Sequence, residues 1–87
     1  MRIDKLLNKL CLFKTRSMAK KACDLNLVSI NGKTVKASAI VHPEDQIRYN
    51  VYNWQYTVEI KEIPQGNVSK ASAPQYYELL KKKPKPD

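Results

Sequence analysis

The apolar residues of this chain change period once, around Asn26, and that change restricts the folds open to it. Before it, Ile3, Leu6, Leu7 and Leu10 recur at i, i+3, i+4 and i+7, the spacing that lines one face of a helix. After it, Ile47, Tyr49 and Val51 alternate, and Tyr56, Val58 and Ile60 alternate again, as in strands with one buried face. With 87 residues there is room for one modest core. Helices followed by strands within that length predict an α+β fold, with two N-terminal helices packed on a small, mostly antiparallel sheet.

Local signals fill in the order. Thr15 is a good N-cap for a second helix with the apolar set Met18, Ala19, Ala22 and Leu25. Asn26 tolerates the left-handed conformation that ends a helix. Leu27-Val28-Ser29-Ile30 reads as a short strand, Asn31-Gly32 as a two-residue hairpin turn, and Lys33-Thr34-Val35 as the return. His42-Pro43-Glu44-Asp45 is a turn, and Asn53 joins the two longer strands. Ser72-Ala73-Pro74-Gln75 fits a capping box with Pro in the first turn, so a short C-terminal helix carrying Tyr76, Tyr77, Leu79 and Leu80 is expected. Residues 81–87, rich in Lys and Pro, are expected to be a basic disordered tail, which leaves a single domain over residues 1–80.

Charge narrows the partner. Residues 1–36 hold nine of the sixteen Lys and Arg and only two acids, Asp4 and Asp24, a net charge of +7. Residues 37–80 carry −2 and residues 81–87 carry +3. A patch this dense draws in polyanions through counterion release, so nucleic acid leads the partner classes. Cys11 and Cys23 lack metal or redox spacing and read as small buried helix residues in a reduced compartment. Asp4, Lys5 and Lys9 interrupt any N-terminal apolar run, so neither a signal peptide nor membrane contact is expected, and the chain reads as cytoplasmic. Two glycines cannot make a phosphate-binding loop. No nucleophile–base pair or metal cluster stands out, and the expectation is a binding protein without catalysis, cofactor or metal.

The ordered set Arg2-Ile3-Asp4-Lys5-Leu6-Leu7, then Phe13-Lys14-Thr15-Arg16-Ser17-Met18-Ala19-Lys20, then Val28-Ser29-Ile30-Asn31-Gly32-Lys33, then Pro43-Glu44-Asp45 resembles the S4 RNA-binding domain over about residues 2–50. At full length the chain is similar to the small free-standing bacterial members of that family, the heat-shock-induced type and the type of ribosome-associated quality control. The resemblance implies binding to a large ribosomal subunit that carries peptidyl-tRNA, with contacts to rRNA and tRNA and to a quality-control protein factor. The outcome is either tailing of the stalled chain or release of the blocked subunit. An S4-type factor of ribosome assembly is the alternative, with a small DNA-binding regulator behind it. Asn26 and Glu44 stand where the family often has Gly. A monomer is expected.

The residues assign chemistry of their own. Guanidinium groups fork onto phosphates, so Arg2 and Arg16 are the expected geometric anchors. Lys5, Lys14 and Lys20 supply the field around them, and Lys33 and Lys36 extend it from the hairpin. Thr15 and Ser17 stand at a helix N-terminus, where hydroxyls and N–H groups meet phosphate. Asp4 either holds Arg2 or Arg16 in place or interacts with the helix dipole. No motif names Lys9 and Lys21, which join the RNA-binding set on patch density alone. Tyr52, Trp54 and Tyr56 read as sheet packing rather than base stacking. The second helix offers Met18, Ala19, Ala22 and Cys23 where a DNA reader needs Asn, Gln or Arg, which weighs against duplex DNA.

Overall fold

A computed structural model describes residues 1–85. Helices α1 (Ile3–Lys9) and α2 (Arg16–Asp24) precede strands β1 (Val28–Ile30), β2 (Lys33–Thr34), β3 (Gln46–Val51) and β4 (Trp54–Ile60). A single 3-10 turn (Ala73–Tyr76) leads into β5 (Tyr77–Pro84). The strands form one sheet in the order β2-β1-β3-β4-β5, and every pairing is antiparallel.

A seven-residue helix does not hold by itself, so α1 depends on its surroundings. Ile3, Leu6, Leu7 and Leu10 are buried on one face, as their spacing predicts. Its first N–H groups are satisfied from the loop before β3: Ile3 N–H donates to the Ala39 carbonyl (2.7 Å) and Asp4 N–H to that of Ala37 (3.3 Å). The connection to α2 is pinned by Asn8, whose side-chain amide donates to the carbonyls of Phe13 (3.3 Å) and Lys14 (3.2 Å). Thr15 caps α2, its hydroxyl accepting from Met18 N–H at 3.1 Å. Asn26 ends it at φ 62°, with Leu27 N–H on the Ala22 carbonyl and Asn26 N–H on that of Cys23, the paired bonds of a Schellman motif.

Alternation along the strands puts Val28, Ile47, Tyr49, Val58 and Ile60 on the buried side, against the helices. The hairpin turns at Asn31 (φ 52°) and Gly32 (φ 86°), both positive as a type I′ turn requires. Asn31 also fixes the next strand. Its side chain donates to Asp45 Oδ1 (3.0 Å) and accepts from Gln46 N–H (2.9 Å), while Asp45 Oδ2 accepts from His42 N–H (2.9 Å).

Three expectations need correction. Met18 and Leu25 are exposed, and the buried stripe of α2 is Ala19, Ala22 and Cys23; small side chains let the two helices approach. Cys11 lies beyond the end of α1, at φ 61°, and is exposed, whereas Cys23 is buried. The C-terminal helix is replaced by the 3-10 turn and β5, and the basic tail by the end of that strand. Ser72 does not cap: its hydroxyl is hydrogen-bonded to Ser69. The seven-residue β4 has an outer edge whose backbone groups need partners, and β5 supplies them from Ile60↔Tyr77 to Trp54↔Pro84, with a bulge at Thr57/Val58. That tertiary demand overrides the helical leaning of a Leu- and Lys-rich segment. The boundary expected at residue 80 therefore falls inside a strand. For residues 86 and 87 the expected disordered tail lies outside the described residues.

Two substitutions at positive φ should act in opposite directions. Gly32→Val should destabilise by about 1 kcal/mol or more, because a β-branched residue fits left-handed backbone badly even with open space around it. Glu44, at φ 75° in the turn closed by Asp45 N–H on the His42 carbonyl, should gain up to about 1 kcal/mol when changed to Gly. Urea denaturation of both variants beside the parent chain measures the two signs.

Candidate nucleic-acid interface

Asp4 sits in the first turn of α1 and is only 2% exposed. A buried carboxylate is stable only when it is paired and hydrogen-bonded. Arg2, immediately before the helix, donates from Nε to Oδ1 and from Nη2 to Oδ2, both at 3.2 Å, a two-pronged grip. Arg16, the first residue of α2, donates from Nε to Oδ2 at 3.3 Å. Lys5 N–H donates to Oδ1 at 2.8 Å. Of the two readings of Asp4, the first is therefore seen, and for both arginines at once. The two arginine side chains are about half exposed, at 44% and 49%, and each guanidinium has donors that Asp4 does not use. With Ser17 and Lys20 they line an open cleft of about 290 Å³. The arrangement presents fixed N–H donors and positive charge over a buried counter-charge, which suits a phosphate-sized anion.

Burial pushes the Asp4 carboxyl up, but the Lys5 N–H, Arg16 and Arg2 outweigh it and hold the carboxyl below its ordinary value. Burial, with Asp4 and Asp24 nearby, raises the Cys23 thiol to about 11, so it stays protonated and unreactive at neutral pH.

The other expected residues are placed around this cleft rather than in it. Lys5 and Lys9 line a separate groove with Asn8, Cys11, Asn67 and Val68. Lys14 and Thr15 occupy the turn before α2, and Lys21 lies exposed on α2. Lys33 is on the two-residue β2, and Lys36 is in the loop after it. Among the described residues, none of these lysines uses its side chain in a hydrogen bond or ion pair to the cleft. Tyr56 stacks on Tyr49, with centroids 5.4 Å apart and planes at 20°, as the packing reading expects. Trp54, with Lys82 Nζ over its ring at 4.7 Å, and Tyr52 are both exposed. Sequence reasoning missed Asn8, which sets the α1–α2 turn, and the Asn31–Asp45 pair. Asn8 acts locally, on carbonyls five and six residues ahead, but belongs to no motif that marks it, and the Asn31–Asp45 pair joins residues fourteen apart. No helix among the described residues is long and apolar enough to cross a membrane.

The pH dependence of the Asp4 cluster follows from its direction of shift. A carboxyl held low in the folded state stabilises it at pH values above the unfolded carboxylate pKa of about 4. That contribution is lost as pH falls through the folded value. Asp4→Asn should therefore lower stability by about 2 kcal/mol at pH 7, with the gap to the parent closing below about pH 4. Thermal melts between pH 2 and 7 give the comparison, and an equal gap at every pH would remove the charge from the argument.

The S4 domain family matches residues 1–47, a span that contains α1, α2 and the β1–β2 hairpin. The RQC P-site tRNA stabilizing factor of Bacillus subtilis is 36% identical over 81 residues, 93% of each chain. The protein of that name from Halalkalibacterium halodurans is 33% identical over 84 residues, covering 97% of this chain and 94% of the relative. Among solved structures, Heat Shock Protein 15 of Vibrio cholerae superposes with a TM-score of 0.86 at 29% identity, over 92% of this chain and 81% of its own. With the two-helix cleft, the Asn-Gly hairpin and the family match all falling on the same residues, this chain belongs to the S4 domain family.

Proposed function

We propose that this chain binds RNA on the large ribosomal subunit and holds the peptidyl-site tRNA during quality control of stalled translation, working in the cytoplasm as a monomeric binding protein rather than an enzyme. The observation that carries this reading is the pair of arginines, Arg2 and Arg16, held half-exposed by one buried carboxylate. Supporting it, two relatives named for stabilising P-site tRNA align with nearly the whole chain.

In this reading the S4 module at about residues 2–50 makes the primary contact. Arg2 and Arg16 fork onto phosphate oxygens, and Ser17 and Lys20 complete the cleft. Thr15 sets the α2 N-terminus. Lys5, Lys14, Lys33 and Lys36, with Lys9 and Lys21, raise the potential around it and speed encounter with rRNA and tRNA. Asp4 positions rather than binds: it fixes both guanidiniums before RNA arrives, so less side-chain freedom is lost on binding. A protein factor of the quality-control reaction would meet the complex on the same particle.

Three measurements test the proposal. Arg16→Ala should flatten the fall of log K with log salt by about one contact, a change of roughly 0.7–0.9 in slope. Asp4→Asn should weaken RNA binding although it removes a negative charge; tighter binding would mean an undirected patch. The tagged chain should co-sediment with free large subunits, more so when stress leaves peptidyl-tRNA on them. Sedimentation with small subunits alone would redirect the function to small-subunit assembly, and preference for duplex DNA over structured RNA would replace the proposal.

A further inference from the structure

The face of the sheet turned away from the helices carries a polar, basic surface separate from the Arg2–Arg16 cleft. The register builds it. Ser29 lies opposite Arg48, Arg48 opposite Thr57, and Thr57 opposite Lys81, one row across four strands. Asn50, Gln55 and Lys83 form the next row. Opposed residues share a face, and the alternate positions Val28, Ile47, Tyr49 and Val58 are the buried ones.

Two depressions mark this face, and they share Ser29 and Arg48. One, of about 250 Å³, extends to Thr57 and Lys81. The other, of about 90 Å³, is bounded by Thr34, Asn50 and Gln55. Ser29 is on the outward face, yet it is only 4% exposed. Among the described residues, neither its hydroxyl nor Asn50 Oδ1 has a hydrogen-bond partner. Buried polar atoms are rarely left so, and these two stand at the floor of a depression rimmed by Arg48.

The pattern selects a ligand that brings both a hydrogen-bond donor and negative charge. The ribose-phosphate backbone of RNA does: the 2′-hydroxyl donates and the phosphate oxygens accept. Neither row contains an aromatic ring; Tyr49 and Tyr56 lie on the helix side, so bases find no stacking platform here. Glu59 and Glu78 lie opposite each other at the Gln46 end of the sheet, which directs an anion toward Arg48, Lys81 and Lys83 instead.

We infer that the outward face of the sheet is a second RNA-backbone site, with Arg48, Lys81 and Lys83 for phosphates and Ser29 and Asn50 for 2′-hydroxyls. It rests on the reading of the chain as RNA-binding and adds to it a geometry. The helices cover the opposite face, so a strand held here is a different segment from the one at Arg2 and Arg16. The protein then stands between two RNA segments, separated by its own thickness.

The test is nuclear magnetic resonance of the full chain, titrated with an A-form RNA hairpin and a DNA hairpin of the same sequence. RNA should shift the signals of Ser29, Arg48, Asn50 and Thr57 as well as those of Arg16 and Lys20, and DNA should move the sheet-face set far less. A double variant, Arg48→Gln with Lys81→Gln, should melt like the parent and keep the Arg16 and Lys20 shifts. It should lose the sheet-face shifts and flatten the salt slope by about two contacts. RNA shifts confined to Arg16 and Lys20 would overturn the second site and leave the proposed function standing. Equal sheet-face shifts from DNA would overturn the ribose assignment, and shifts from a polyglutamate peptide but not from RNA would give the face to an acidic protein. No RNA-dependent shift on either face would overturn the second site and the RNA-binding reading together.

Discussion

The carboxylate of Asp4 organises the N-terminal half of the molecule. It is buried and charged, a combination that is stable only while donors surround it. Those donors come from three places: Arg2 ahead of α1, Arg16 at the start of α2, and the backbone of Lys5. One small group thus joins the beginnings of both helices and aims two guanidiniums at once. Either arginine alone would be a mobile surface charge. Held together over a common acid, they keep a fixed spacing, and a net positive charge remains in the cleft.

That arrangement depends in turn on the rest of the fold. The loop before β3 caps the first turn of α1 through Ala37 and Ala39, and Val41 N–H donates to the Met1 carbonyl. The N-terminal residues that carry Arg2 are therefore tied to the segment leading into the sheet. The same segment is set by Asp45, which Asn31 grips from the hairpin. Hydrogen bonds thus connect the hairpin to the segment that holds the N-terminal residues.

Much of this was legible in the sequence where the signals are local. Ile3, Leu6, Leu7 and Leu10 declared α1 because burial of one face repeats with the helix period. Thr15, Asn26 and Asn31-Gly32 declared their turns because each residue has a backbone preference of its own. Asp4 could be suspected as an orienting group, but that it holds both arginines depends on how α2 crosses α1, and no single segment encodes that. The C-terminal segment misled for the same reason. Ser72 and Pro74 look like a helix start, while the unpaired edge of β4 that claims Tyr77–Pro84 lies some twenty residues back along the chain. The lysines of the expected tail are thereby divided between two faces, with Lys82 over Trp54 and Lys81 beside Thr57.

The same lysines also protect an edge of the sheet. An open sheet offers unpaired backbone at both borders, where a second sheet can add itself and begin aggregation. Here one border, β2, is two residues long. The other ends in Lys81-Lys82-Lys83-Pro84, where cations mark the edge and Pro84 has no N–H to offer. Strand-to-strand polymerisation is thus opposed by length on one side and by charge on the other.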